Sequence, residues 1–152
     1  MTTEIRMDFE AHASRFSKAM NTLDAASRAG DLDKGLAELV RVHASQINGC
    51  AYCVDMHTKD ARAAGETEQR LYALPVWRET PYFTEAERAA LALTEAVTVL
   101  TDGHVPEEVF RTAAKHFDEQ RLAQLISIVV TINAWNAISV TTRAWTPGSY
   151  QR

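Results

Sequence analysis

The stretch INGCAYCVDMHTKDARAAG, residues 47–65, holds both cysteines of the chain and a histidine four residues beyond the second. On a helix, offsets of three and seven set Cys50, Cys53 and His57 on one face. Near a helix start the positive end of the dipole favours thiolate, the reactive form of cysteine. His57 lies four residues from Cys53, so its imidazole reaches that sulfur directly or through a water. A thiol with a base in reach and a second thiol three residues away suits a two-step redox cycle. One sulfur attacks an electrophile and the other resolves the product as a disulfide.

Two other readings of the same residues compete. A buried cysteine is often only a small hydrophobe, but two in a C-x2-C pair with a histidine in register exceed what packing needs. C-x2-C is also a zinc half-site, and zinc takes four ligands. The chain has no second C-x2-C, and three ligands on one helix face favour thiol chemistry, so no metal is expected.

These residues have to be positioned by helices. Apolar residues recur with the helical period at Leu36, Leu39, Val40 and Ile47, and convincing strand alternation is absent. The spacing predicts helices from about Phe9 to Ala29, from Asp33 to Asn48, from Cys50 to Gly65, and a short one from Thr67 through Leu74. Thr84-Glu85-Ala86-Glu87 is a capping box opening a helix to about Leu100. Pro106 opens another through His116, and Asp118 caps a last one to Trp145. The expectation is an all-α fold of six to seven helices in one domain, residues 1–152.

The last helix is apolar almost all round. A membrane span would need ~20 mostly apolar residues, and Gln124, Asn133 and Asn136 interrupt this run. A helix buried on several sides, part of it at a subunit interface, is the better reading. LAELVRVHASQIN, from Leu36, and LAQLISIVVTIN, from Leu122, are faintly alike, and only the first leads into the cysteines.

Composition narrows the function. The chain has 152 residues, 46% of them hydrophobic, and a formal charge of −4. No cluster of lysine and arginine offers a grip on nucleic acid. The polar, acidic start MTTEIRMDFEAHA lacks the apolar core of a signal peptide. A cytoplasmic, reducing setting is expected, where a CxxC pair is catalytic or metal-bound more often than a structural staple. No glycine-rich phosphate loop is present, so no nucleotide cofactor is expected.

With Glu38 added, the pattern becomes E-x11-C-x2-C-x3-H: Glu38, Cys50, Cys53, His57. This resembles the signature of the AhpD-like alkylhydroperoxidase branch of the carboxymuconolactone decarboxylase superfamily. The likeness extends over some 60 residues, from ELVRVHASQ onward, and TINAWN at Thr131–Asn136 adds to it. The resemblance implies an all-helical fold, usually a trimer or a hexamer. It implies a thiol peroxidase in which Cys53 attacks hydroperoxide, Cys50 resolves, and His57 with Glu38 forms the proton relay. The reductant would be a dithiol on a lipoyl-bearing or thioredoxin-like protein, with no cofactor. The best-known members carry a further histidine just before the second cysteine. Here Tyr52 stands there, a hydrogen-bond donor but a poor base near neutral pH. The alternatives are a non-enzymatic redox sensor or assembly protein using the same disulfide, and a decarboxylase or lactone-processing enzyme on the same fold.

Read without the resemblance, Glu38 is a solvated surface carboxylate. His43 lies on an apolar stripe and reads as a hydrogen-bonded core residue. Glu95 reads as a group near the site or a lone charge at an interface. Trp77, Trp135 and Trp145 read as core or interface residues rather than a substrate platform.

Overall fold

A Schellman motif joins the two helices that carry the chemistry. In the computed structural model, which describes residues 4–152, Gly49 takes φ +65°, a conformation that glycine adopts freely. The Gly49 amide then donates to Gln46 O and the Cys50 amide to Ser45 O. This ends α3 (Lys34–Ile47) and starts α4 (Ala51–Ala63) with Cys50 as its N-cap. Cys50 is thus held at the turn, and Cys53 lies in the first turn of α4.

Among the described residues all regular structure is helical: α1 (Phe9–His12), α2 (Ser14–Arg28), α3, α4, α5 (Glu68–Ala73) followed by a 3₁₀ segment (Leu74–Glu79), α6 (Glu85–Thr98), α7 (Glu107–His116) and α8 (Glu119–Thr142). The cap residues read from the sequence are in place. Asp33, Thr67, Thr84 and Asp118 each accept a backbone N–H of their helix, and the Thr84–Glu87 box closes in both directions.

Three boundaries differ from expectation. The first helix is two, because Ala13 leaves helical geometry at φ −130° and ψ 44°. The apolar pattern runs through this break unchanged. Pro106 is the N-cap of α7 rather than its first residue. The last helix ends at Thr142, because Arg143 turns left-handed at φ 52° and the Thr142 hydroxyl accepts the Ala144 amide. Trp145 therefore folds back instead of continuing the helix.

α3 is the central element. Leu36, Ala37 and Val40 pack with Ala90 and Leu93 of α6 and with Leu122, Leu125, Ile128 and Val129 of α8. Leu39 and Val42 pack on the other side with Ala61 of α4, Leu71, Leu74, Trp77 and Phe83. Each buried Leu or Val of α3 gains about 1.5–3 kcal/mol from burial, well above the few tenths separating most helix propensities. Tertiary packing, not propensity, holds α3. Every residue from Leu36 to Ser45 is buried.

α8 has the length and hydropathy of a membrane span, yet Leu125, Ile128, Val129 and Ile132 lie in the core. Its polar residues are satisfied. Gln124 Oε1 accepts the Leu32 amide at 3.0 Å, and the Gln124 amide fills the space beside Gly30 where a Cβ would sit. Asn48 Nδ2 donates to Asn133 Oδ1 (2.6 Å) and Asn136 Oδ1 (3.0 Å), and Asn136 Nδ2 donates to Ser45 Oγ at 3.1 Å. The ends of the two similar segments are thereby tied together directly ahead of Cys50.

His43 is the hydrogen-bonded core residue expected. Its Nε2 lies 2.8 Å from Glu95 Oε1, which also accepts from Trp77 Nε1 at 2.8 Å, while Arg78 pairs with Oε2 at 2.6 Å. Glu95 is therefore not a lone charge. Burial pushes its carboxyl up, but the bonds from His43, Trp77 and Arg78 outweigh this and bring it down from 4.5 to about 2. A folded value below the unfolded one stabilises above the unfolded value, and the gain fades as pH falls from about 4.5 towards about 2. Glu95→Gln should therefore lower stability at neutral pH and flatten its decline with acid. Denaturant unfolding from about pH 6 to about pH 3 measures this; parallel curves would contradict it.

Candidate active site

Glu38 is buried, 7% exposed, which overturns the surface reading. The physical reason is the position of α3: a helix covered on all sides has no solvated face to offer. Three cationic or hydrogen-bonding partners compensate the buried charge. His57 Nδ1 lies 3.0 Å from Glu38 Oε2, Arg41 Nη1 2.6 Å from Oε1, and Arg28 Nη1 3.5 Å from Oε1. Burial alone would push the Glu38 carboxyl up. The His57 bond and the charges of Arg41, His57 and Arg28 prevail and hold it below the ordinary glutamate value. Glu38 is therefore an anion near neutral pH and accepts the proton of His57 Nδ1. That fixes the tautomer and leaves Nε2 to exchange protons.

Cys50 and Cys53 are joined as a disulfide, with Cα atoms 5.4 Å apart. Both are buried, at 1% and 4% exposure. Cys53 and His57 line one cavity of about 220 Å³, together with Tyr52, Met56, Trp135 and Trp145. Tyr52 stacks on Trp145 with centroids 5.8 Å apart, and Trp135 meets Trp145 edge-on at 5.8 Å. Trp135 and Trp145 are thus half-buried walls of this cavity, and Trp77 is a core residue. The left-handed turn at Arg143, invisible to helical periodicity, brings Trp145 there. Burial, then the nearby carboxylates of Asp55 and Glu10, push the Tyr52 hydroxyl up. Tyr52 stays protonated near neutral pH.

The structure thus brings Glu38, Cys53 and His57 to one site, with Cys50 bonded to it. Arg41 was not anticipated, although a cation three residues after Glu38 on a helix is a recognisable pairing signal. It is 4% exposed, and its Nη2 has no hydrogen-bond partner among the described residues. Glu38, His57 and Asp60 also place one possible metal ligand each within 4.8 Å. Glu38 is already committed to His57 and Arg41, and Asp60 accepts the Tyr150 hydroxyl at 2.9 Å. A buried guanidinium beside the ligand set opposes a cation there.

The helical class agrees with the comparisons to known proteins. The carboxymuconolactone decarboxylase family model matches residues 14–96. The uncharacterised protein YdfG of Bacillus subtilis is 38% identical over 135 residues, 89% of this chain and 92% of that one. The crystal structure of ATU0492 from Agrobacterium tumefaciens, described as an AhpD antioxidant-defence protein of unknown function, superposes with TM-score 0.91. It is 35% identical, over 95% of this chain and 99% of that chain. The debrominase Bmp8, at 19% identity and TM-score 0.80 over 91% and 74% of the two chains, shares the fold. The chain belongs to the carboxymuconolactone decarboxylase family, in its AhpD-like branch. Family and cysteine pair fit a peroxidase-like role.

Proposed function

We propose that this protein is a thiol-dependent peroxidase that reduces hydroperoxides through a Cys50/Cys53 dithiol–disulfide cycle. The observation that carries the reading is the single cavity lined by Cys53 and His57, with His57 Nδ1 anchored to a buried, ionised Glu38. Cys53 thiolate attacks the hydroperoxide, the O–O bond breaks, and His57 supplies the proton to the departing alcohol. Cys53 is left as a sulfenic acid. The Cys50 thiol condenses with it, releasing water and forming the disulfide. An external dithiol, on a lipoyl-bearing or thioredoxin-like partner, restores both thiols. Residues 1–152 act as one domain in a cytoplasmic setting whose reducing pool keeps the cycle turning. No metal takes part.

Hydroperoxide turnover recycled by a dithiol tests the reading. Steady consumption supports it; disulfide formation without turnover means a redox sensor. Release of carbon dioxide from a carboxylated lactone would mean the decarboxylase reading.

We further propose a homo-oligomer, a trimer or hexamer. Val130 on α8 is 52% exposed, and Phe16, Leu23 and Phe110 add apolar surface elsewhere. Light scattering at micromolar concentration should give a multiple of 16.9 kDa; a monomer mass would contradict this.

A further inference from the structure

Two separate cavities approach the disulfide. The first, about 220 Å³, is lined by Cys53 and His57 but not by Cys50. The second, about 350 Å³, is lined by Cys50 but not by Cys53, along with Arg6, Val140, Arg143 and Pro147. Tyr52 and Trp145 line both. Their stack, 5.8 Å between centroids and 29° between planes, is the partition. Its footing is built in. Arg143 turns the chain back at φ 52°, and the Arg6 and Met7 amides fasten the N-terminal segment to Thr142 O at 2.9 and 3.3 Å.

We propose that the second cavity is the entrance for the reductant, a slender dithiol carrying negative charge, and that this dithiol attacks Cys50. The inference rests on the dithiol–disulfide cycle proposed above. Access dictates the sulfur attacked: from this side only Cys50 is within reach. Its 1% exposure at the cavity floor excludes a thiol fixed on a broad folded surface and admits a thin arm. Leaving-group chemistry agrees. Thiol–disulfide exchange is faster when the departing thiolate is the better stabilised. Attack on Cys50 expels Cys53, which shares its cavity with His57, whereas Cys50 does not.

The exchange balances. One thiolate of the reductant bonds to Cys50 Sγ, the Cys50–Cys53 bond breaks, and its electron pair leaves on Cys53 Sγ. The second reductant thiol, losing its proton, attacks the reductant sulfur of the mixed disulfide and expels Cys50 thiolate. The reductant is oxidised by two electrons to its own disulfide, and its two protons end on Cys50 and Cys53. Charge selects the reductant. Arg6 and Arg143 are exposed and have no carboxylate partner among the described residues, while in the first cavity Arg28 is paired with Asp24 and Glu10 adds a second carboxylate. Such a cationic mouth attracts anions within about 8 Å at physiological ionic strength.

The test measures both half-reactions by rapid quench and thiol alkylation: oxidation by cumene hydroperoxide, and reduction of the diamide-oxidised protein. The reductants are dihydrolipoate, an anionic dithiol, and dithiothreitol, a neutral one. Val140→Trp narrows the second cavity and Asn21→Trp the first. We expect Val140→Trp to slow reduction about tenfold more than oxidation, and Asn21→Trp to do the reverse, a size typical of lost access. Arg6→Gln/Arg143→Gln should lower the preference for dihydrolipoate over dithiothreitol by roughly fivefold, the scale of exposed charge pairs. Equal slowing of both half-reactions by Val140→Trp, or an unchanged reductant preference in the arginine variant, overturns the proposal. So does a changed oligomer mass in Val140→Trp, which would make the cavity a subunit seat. If Val140→Trp fails to fold, the arginine variant decides. If hydroperoxide leaves the reduced wild type untouched, the peroxidase reading fails, while the reduction measurements still decide the entrance.

Discussion

Cys53→Ser should abolish hydroperoxide consumption, and Cys50→Ser should accumulate a sulfenic acid on Cys53. The two sulfurs differ in surroundings although they are three residues apart. Cys53 shares a cavity with His57, whose Nδ1 is held by Glu38 at 3.0 Å and whose Nε2 is therefore available for proton transfer. Cys50 is the N-cap of α4, closer to the positive helix end but outside that cavity. Helix position alone would make Cys50 the more acidic thiol. Attack on a peroxide also needs a proton delivered to the departing oxygen, and His57 can deliver it only beside Cys53. Dimedone labelling with peptide mass analysis reads the outcome. An adduct on Cys50 in the Cys53→Ser protein, with activity retained, would reverse the two roles.

Glu38 and His57, 3.0 Å apart, should act as one unit. His57→Gln removes the proton carrier and should slow single-turnover oxidation of Cys53 by roughly 10²–10⁴-fold. Glu38→Gln removes the group that sets the tautomer and should approach the same loss. The double variant should be barely slower than His57→Gln, since groups working together are strongly non-additive. The structure adds a cost in stability. Glu38→Gln leaves the Arg41 guanidinium, 4% exposed, without its carboxylate at 2.6 Å. Breaking a buried pair from one side costs about 3–5 kcal/mol. His57→Gln keeps that pair and should be milder. Rates are therefore compared on the folded fraction, across pH. A Glu38→Gln protein that matches wild type at every pH would mean that Glu38 only neutralises Arg41.

Much of this fold was readable before the structure, where a local signal has a local cause. Asp33, Thr67, Thr84 and Asp118 cap because a short polar side chain answers a free amide within the same turn, and Gly49 and Gly65 end helices because they adopt positive φ cheaply. Features set by distant contacts were not readable. Glu38 looks solvated in the sequence because amphipathic reasoning assumes that each helix keeps one wet face. α3 has none: α4 and the Leu74–Glu79 segment cover one side, α6 and α8 the others. The break at Ala13 and the left-handed Arg143 carry no glycine or proline to announce them. The second of these places Trp145 on Tyr52, so the aromatic partition was hidden as well. The spacing Glu38–Cys50–Cys53–His57 did identify the group of residues that meet, because the Schellman turn between α3 and α4 is itself a local feature.

Thiol counting by mass spectrometry after one equivalent of hydroperoxide tests the peroxidase cycle most directly. Reduced protein should lose both thiols of each chain rapidly, with a single Cys50–Cys53 disulfide as product and one alcohol formed per hydroperoxide consumed. A reduced protein that keeps both thiols while hydroperoxide remains unconsumed would contradict it.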